Sequence, residues 1–185
     1  MYYIKNIEKT NVMKKLIILT ITIFISIFGY CQEYNISKDG INHIKHYEKC
    51  ILTAYPDAGG WTIGYGHHGD DVYENMKITK TEADKLFEAD LKSTKASVKR
   101  LLKALPYEYT FTQGFIDGFF SLVYNCGEGG LKKSEFYKRL TACRVHDGIM
   151  NQKDFEYTLE AVKTCRVSQK GHVERRLLEY NMMVD

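Results

Sequence analysis

The sequence predicts an α+β protein that is mostly helical, with a small β-rich lobe near the N-terminus and a helical lobe behind it. Apolar residues recur at the spacing of a helix face over most of the chain, whereas glycine and proline punctuate residues 52–65. The chain has 185 residues, of which 44% are hydrophobic, so it can form one domain with a substantial core. This composition excludes a disordered or collagen-like chain.

Residues 1–31 are predicted to be a signal peptide, and residues 32–185 the mature domain. Lys14 and Lys15 precede an apolar run over residues 16–30. A run of about 15 residues is typical of a signal peptide, and it is shorter than the roughly 20 residues that span a membrane. We therefore expect export to the periplasm or the extracellular space.

Cleavage is predicted before Gln32, because Gly29 and Cys31 are small residues at the −3 and −1 positions. Met13 is a candidate for the true first residue. After cleavage, no stable association with a membrane is expected. The alternative is that residues 1–31 stay attached as a signal anchor in the inner membrane.

The charge distribution argues against a nucleic-acid partner. Four of the 26 Lys and Arg residues, but only one of the 23 Asp and Glu residues, precede Gln32. The formal charge of +3 therefore belongs to the predicted signal peptide, and the mature domain is neutral. Nucleic-acid binders typically carry a basic excess in the folded domain.

The first helix of the mature domain is predicted to begin after Ser37, a typical N-cap residue, and to end at Glu48. The spacing of one helical face is followed by Ile41, Ile44 and Tyr47 and continues to Ile51, just beyond that end. The glycine-punctuated segment that follows predicts a small β element, with strands around residues 54–55 and 61–63.

The rest of the chain is predicted to be helical. Thr79 and Glu82 form a capping-box pattern that opens a long helix, and Pro106 ends it. The apolar residues 111–126 predict a central buried helix that stops at Gly127. Three shorter helices are predicted at residues 134–143, 153–164 and 171–183.

Two carboxyl groups around the β element suggest glycoside hydrolysis. Glu48 ends a helix, and Asp57 and Thr62 follow within the turn-rich segment. One carboxyl group can protonate a leaving glycosidic oxygen while the other activates water. A glutamate and an aspartate nine residues apart are more often solvated surface charges. Tyr55 and Trp61 offer aromatic faces for a saccharide, although aromatic residues are more often part of the core.

The combined pattern resembles the active-site signature of phage-type lysozymes, glycoside hydrolase family 24. From Glu48 the chain reads E-K-C-I-L-T-A-Y-P-D, and from Trp61 it reads W-T-I-G-Y-G-H. The family pattern is a glutamate, then L-x-A-Y-x-D, then T-I-G-Y-G-H. Three later segments also resemble the family in order: residues 78–91, 119–130 and 171–179.

This resemblance implies a lysozyme-like fold with an active-site cleft between the two lobes. It implies a muramidase that cleaves the β-1,4 bond between N-acetylmuramic acid and N-acetylglucosamine in peptidoglycan glycan strands. Glu48 would be the general acid, and Asp57 and Thr62 would hold and activate water, with inversion at the anomeric carbon. No metal and no organic cofactor are implied, and we expect a monomer.

The sequence departs from the family pattern at four places. Lys49 stands where the family usually has glycine, and the interval from Asp57 to Thr62 is one residue shorter than usual. His172 replaces a usual leucine, and the tryptophan that often precedes the last helix is missing. All three proposed catalytic side chains are retained. The retained set favours a hydrolase over a silent peptidoglycan-binding protein, and Asp57 favours it over a lytic transglycosylase.

Several other residues have both a structural and a functional interpretation. His67 is expected to satisfy a hydrogen bond beneath the β element, with substrate contact as the alternative. Asn125 is expected either to cap the central helix or to face the sugar. Arg175 and Arg176 are expected to stabilise the helical lobe or to pair with acids.

Among the four cysteines after the signal peptide, no two have the C-x-x-C spacing, which argues against a structural metal site. In an oxidising compartment they can form disulfides. A bond between Cys143 and Cys165 is the pairing we predict, because both lie near the ends of successive predicted helices. Buried free thiols are the alternative.

Overall fold

A computed structural model describes residues 33–57, 59–106, 109–143, 145–146, 149–165 and 170–184. The chain divides after Glu33 into two units, and all other described residues belong to the second, Tyr34–Asp185. The predicted signal peptide, its cleavage site and Met13 lie outside the described residues. Among the described residues, no helix has the length and apolarity needed to cross a membrane.

The elements are, in chain order, α1 (Lys38–Glu48), β1 (Ile51–Asp57), β2 (Gly60–Gly64), β3 (His67–His68), α2 (Lys80–Lys103), α3 (Gln113–Lys133), α4 (Glu135–Ala142), β4 (Val145–His146), β5 (Ile149–Met150), α5 (Gln152–Glu160), a 3₁₀-helix (Ala161–Thr164) and α6 (Lys170–Val184). The predicted mostly helical α+β class is confirmed. The short β4–β5 hairpin was not predicted.

Helix α1 begins and ends where the sequence predicts. The Ser37 hydroxyl accepts a hydrogen bond from the Gly40 N–H at 3.1 Å, which caps the helix. Lys49 then adopts φ 58°, which leaves the helix. The continuation of the helix face to Ile51 is wrong, because the chain has already turned into β1, where Ile51 is 40% exposed.

The β element is a three-stranded antiparallel sheet in the order β1-β2-β3. Tyr55 pairs with Thr62, and Asp57 pairs with Gly60 at the end of the first hairpin. Thr62 in turn pairs with His68 across β2 and β3. The first two strands are the predicted ones, whereas β3 was not predicted.

The capping box at the start of α2 is present with both of its hydrogen bonds, between Thr79 and Glu82. Helix α2 ends at Lys103, shortly before Pro106 as predicted. The predicted stop at Gly127 is instead a kink with φ 67°, after which α3 continues to Lys133. A residue at positive φ interrupts the helix there, but the following turn resumes it.

Helix α3 forms the centre of the core, and the other helices, including α1, pack around it. Its fully buried side chains are mostly aromatic or branched: Phe115, Phe119, Phe120 and Leu122 are each at most 1% exposed. Helix α1 is anchored to this helix because Asp117 accepts a hydrogen bond from the Ser37 N–H at 2.8 Å. A smaller apolar cluster, Ala54, Ile63 and Val72, lies against one face of the sheet.

The predicted disulfide between Cys143 and Cys165 is wrong in this structure, because both described residues are buried free thiols. Each sulfur atom has its own partners. Cys143 Sγ lies 3.0 Å from Thr158 Oγ1, and Cys165 Sγ donates to the Ala161 carbonyl at 3.4 Å. Burial raises the pKa of both thiols, that of Cys165 to about 11, so neither forms a thiolate readily.

Candidate active site

Glu48 is the last residue of α1, and its carboxylate is enclosed by two distant parts of the chain. Its side chain is 17% exposed, and Oε1 accepts a hydrogen bond from Arg175 Nη1 at 2.6 Å. Oε2 lies against the backbone of Gly66, since a Cβ built at that glycine would be 3.2 Å from it. Gly66 is at φ 85°, so both its conformation and the nearby carboxylate favour glycine there.

The segment that contains Gly66 is held by the central helix. The Tyr124 hydroxyl on α3 donates a hydrogen bond to the Tyr65 carbonyl at 2.9 Å. Tyr65 is itself buried in the main core. The core of the helical lobe therefore positions the backbone next to Glu48.

Arg175 connects Glu48 to a buried ionic network in the helical lobe. Its Nε donates to Glu179 Oε1 at 3.0 Å, and its Nη2 donates to the Ser121 hydroxyl at 3.1 Å. Burial by itself would lower the pKa of Arg175, but the charges of Glu48 and Glu179 raise it. Arg175 is therefore a fixed cation beside Glu48.

Arg176 completes this network and confirms that both arginines pair with acids. It donates to Glu179 Oε2 and to Asn125 Oδ1, and its Nε donates to the Cys165 carbonyl at 2.7 Å. The amide oxygen of Asn125 thus binds an interior arginine.

Asp57, Thr62 and Tyr55 lie on one face of the sheet. Tyr55 is directly opposite Thr62, and Asp57 is two residues beyond Tyr55 on the same strand, so all three side chains share a face. Asp57 is exposed, whereas Thr62 is only 2% exposed. The pKa of Tyr55 is raised by burial and then by the charges of Asp57 and Glu48. The phenol of Tyr55 therefore interacts electrostatically with both carboxylates.

The structure also brings in His68, which sequence reasoning missed. His68 Nδ1 lies 3.0 Å from Thr62 Oγ1. The signal was present in the sequence: glycines at positions 64 and 66 mark a tight turn, and the resulting hairpin pairs Ile63 with His67 and Thr62 with His68. Of these two histidines, the sequence predicts a role only for His67, the last residue of the T-I-G-Y-G-H string.

His67 has a structural environment. Its Nδ1 lies 2.9 Å from Asp90 Oδ2 on α2, and its Nε2 lies 3.2 Å from Asp71 Oδ2. Burial by itself would lower the pKa of His67, but the hydrogen bonds and charges of Asp90 and Asp71 raise it. These contacts tie β3 to α2, which agrees with the structural interpretation of this residue.

Trp61 lies on the opposite face of the sheet from Thr62, because neighbouring residues of a strand point to opposite faces. It is half-buried and packs against the cluster of Ala54, Ile63 and Val72. The structure therefore separates Trp61 from Tyr55, the other aromatic residue that was predicted to offer a face for a saccharide.

A cavity of about 250 Å³ lies between the sheet and the two longest helices. Gly66 and His68 line it from the sheet, and residues of α2 and α3 line the other side: Asp90, Ser93, Thr94, Ser97, Val123, Tyr124, Gly127 and Glu128. Most of these are polar or glycine, which suits a hydroxyl-rich ligand. Within the described part of the chain, no group of three His, Cys, Asp or Glu residues could hold a metal ion.

Comparison with known proteins identifies a family. The family model described as phage lysozyme matches residues 45–179. A protein named endolysin from Bacillus phage B103 is 33% identical over 145 residues, which are 68% of this chain and 53% of the relative. An endolysin from Acyrthosiphon pisum secondary endosymbiont phage 1 is 36% identical over 147 residues, 78% of this chain and 94% of the relative.

The fold has solved counterparts. An endolysin from Escherichia coli O157:H7 phage FAHEc1 superposes with a TM-score of 0.64 at 28% identity, over 82% of this chain and 94% of that one. The share of a relative's length that this chain covers differs among the curated relatives. The chain spans about half the length of the Bacillus phage relative but nearly all of the endosymbiont phage relative.

Proposed function

This chain belongs to the phage lysozyme family, and we propose that it is a muramidase that acts on bacterial peptidoglycan. The proposed reaction is hydrolysis of the β-1,4 bond between N-acetylmuramic acid and N-acetylglucosamine. The observation that carries the proposal is the setting of Glu48. Its carboxyl group lies at a helix end and accepts a hydrogen bond from a buried arginine. It also lies beside the backbone of Gly66, which lines a polar cavity.

In this proposal Glu48 is the general acid, and Arg175 decides which of its oxygens carries the proton. Arginine has only donors, so the oxygen that it contacts, Oε1, must act as an acceptor. The acidic proton then belongs on Oε2, which lies beside Gly66, a residue that lines the cavity. From there it can be given to the leaving glycosidic oxygen.

Asp57 and Thr62 are proposed to hold the water that attacks the anomeric carbon. Asp57 is exposed and can accept a proton from water, while Thr62 on the same sheet face offers a hydroxyl as a second hydrogen-bond partner. A water held on the side opposite the leaving sugar leads to inversion.

The proposal is tested by clearing of purified peptidoglycan, with wild type beside Glu48→Gln. Positioned proton transfer contributes about 10²–10⁴ in rate, so the folded variant should lose essentially all activity. Glu88→Gln is the matched control, because Glu88 is an exposed glutamate on α2. Wild-type clearing by folded Glu48→Gln would contradict the assignment, and inactive wild type would favour a silent binding protein.

The mass of the products distinguishes hydrolysis from lytic transglycosylation. Hydrolysis leaves a reducing N-acetylmuramic acid, whereas attack by the muramic acid's own 6-hydroxyl leaves a 1,6-anhydro sugar that is lighter by one water, about 18 Da. Mass spectrometry of the digest is expected to show the reducing product. Anhydro products would replace the proposal by a transglycosylase.

We also propose that the enzyme acts outside the cytoplasm and that residues 1–31 export it. The support is the basic pair Lys14 and Lys15 ahead of a short apolar run. Mass spectrometry of the exported protein should show a chain that begins at Gln32. A full-length product retained in the membrane would instead indicate a signal anchor.

A further inference from the structure

His68 is attached to Thr62 both through the backbone and through its side chain. The two residues are directly paired across β2 and β3, so their side chains share a face of the sheet. His68 Nδ1 lies 3.0 Å from Thr62 Oγ1, and Thr62 is only 2% exposed. The hydroxyl of Thr62 is therefore oriented by this imidazole.

Gly60 gives a second, independent constraint on the same ring. A Cβ built at Gly60 would lie 2.7 Å from His68 Cε1 and 3.1 Å from its Nε2. The imidazole thus occupies the space that a side chain at position 60 would need. Because Gly60 is the cross-strand partner of Asp57, the ring lies between Thr62 and the strand end that carries Asp57.

We propose that His68 is a positioning residue that makes Thr62 a hydrogen-bond acceptor toward the hydrolytic water; this inference rests on the proposed function. A threonine hydroxyl has one proton and can accept from water only through its lone pairs. If Thr62 donates its proton to Nδ1 of His68, those lone pairs are free. The required tautomer of His68 carries its proton on Nε2.

The arrangement leaves the reacting water with one productive orientation. Its two hydrogens point to Asp57 and to Thr62 Oγ1, and its lone pair points to the anomeric carbon. The new bond joins the water oxygen to that carbon, and the bond to the leaving sugar breaks. The water's proton passes to Asp57, and the proton of Glu48 passes to the leaving oxygen. Thr62 and His68 keep their own protons throughout.

The test measures kcat and KM on soluble peptidoglycan fragments for three variants at position 68. His68→Leu removes the acceptor, His68→Asn retains an acceptor near the place of Nδ1, and His68→Gln moves the amide toward the place of Nε2. A misplaced reacting group costs about 10²-fold. His68→Leu and His68→Gln should therefore lower kcat by about 10- to 100-fold with little change in KM, whereas His68→Asn should recover most of the loss.

Two further comparisons separate positioning from a general effect on folding. His46→Leu, at an exposed histidine on α1, is the matched control and should keep wild-type kcat. Adding His68→Leu to Thr62→Val should lower kcat no further than Thr62→Val alone, because both changes remove the same interaction.

Gly60→Ala is the second route to the same result. The added methyl group would displace the ring of His68 without removing any functional group. It should lower kcat in wild type but have little effect in His68→Leu, and it keeps the inference testable if His68→Leu does not fold.

Wild-type kcat in folded His68→Leu, equal losses in His68→Asn and His68→Leu, or additive effects with Thr62→Val would each overturn the inference and leave the proposed function intact. Wild-type enzyme that does not hydrolyse peptidoglycan would overturn the proposed function and this inference together.

Discussion

Arg175 Nη1 lies 2.6 Å from Glu48 Oε1, although the two residues are 127 positions apart in the sequence. One belongs to the last helix and the other ends the first helix of the described domain. The candidate general acid is therefore held in place only when α6 has docked on the core. Because Arg175 also binds Glu179, its guanidinium group forms ion pairs with two carboxylates that have little contact with water.

Removing Arg175 should be strongly destabilising. Arg175→Met leaves Glu48 and Glu179 without this partner in a poorly hydrated site, and breaking such a buried pair costs about 3–5 kcal/mol of the free energy of unfolding. Urea denaturation measures the loss. Arg100→Gln serves as the control, because its side chain is 60% exposed and its ion pair should contribute little. Similar stability of the two variants would show that the network is not needed for folding.

Replacing Lys49 by glycine should stabilise the protein. Lys49 adopts φ 58° and ψ 179°, a region that is costly for any residue with a Cβ. Relief of about 1–3 kcal/mol of strain exceeds the entropic cost of glycine, roughly 0.5–1 kcal/mol. We expect a net gain of about 1 kcal/mol for Lys49→Gly and none for Lys49→Ala. Thermal unfolding of the two variants tests this, and equal melting temperatures would contradict it.

The ion pair between His67 and Asp90 should stabilise the fold on the acid side of neutrality. The pKa of His67 is raised above 6.5 in the folded state, because the hydrogen bonds and charges of Asp90 and Asp71 outweigh the effect of burial. The histidine's contribution to stability is therefore fully present below its unfolded pKa and is lost as pH rises through its folded pKa.

His67→Asn should accordingly lower the free energy of unfolding more at about pH 5.5 than at about pH 8. The loss at the lower pH is expected to be about 1.5–3 kcal/mol, the usual contribution of a hydrogen bond to a charged group. Asp70→Asn is the control, since Asp70 is an exposed neighbouring aspartate and its replacement should change stability little at either pH. A loss that is the same at both pH values would mean that the histidine acts through packing alone.

The first product of the reaction should be the α-anomer of the new reducing end. The water proposed to be held by Asp57 and Thr62 enters opposite the departing β-linked sugar, so the configuration inverts. Proton NMR within the first minutes of digestion distinguishes the anomers before they interconvert. A β-anomer would contradict the role given to Asp57 but not the hydrolysis itself.

The elements predicted from the sequence are those whose ends are set by interactions between residues only a few positions apart in the chain. Ser37 caps a helix three residues away, and Thr79 and Glu82 form a reciprocal pair within one turn. The family resemblance likewise depends on the contiguous string from Glu48 to His67, and the matching family confirms it. Such short-range patterns can be recognised without knowing how the chain packs.

Only the tertiary structure shows how those residues are combined. It pairs Arg175 with Glu48, turns Trp61 away from Thr62, and places His68 rather than His67 beside that threonine. It also leaves Cys143 and Cys165 with separate hydrogen-bond partners instead of a shared bond. These outcomes depend on strand register and helix docking, which are set by the burial of side chains far apart in the sequence. The sequence by itself thus determined the family, the helices and the three candidate catalytic groups, whereas packing over long distances decided which side chains hold them in place.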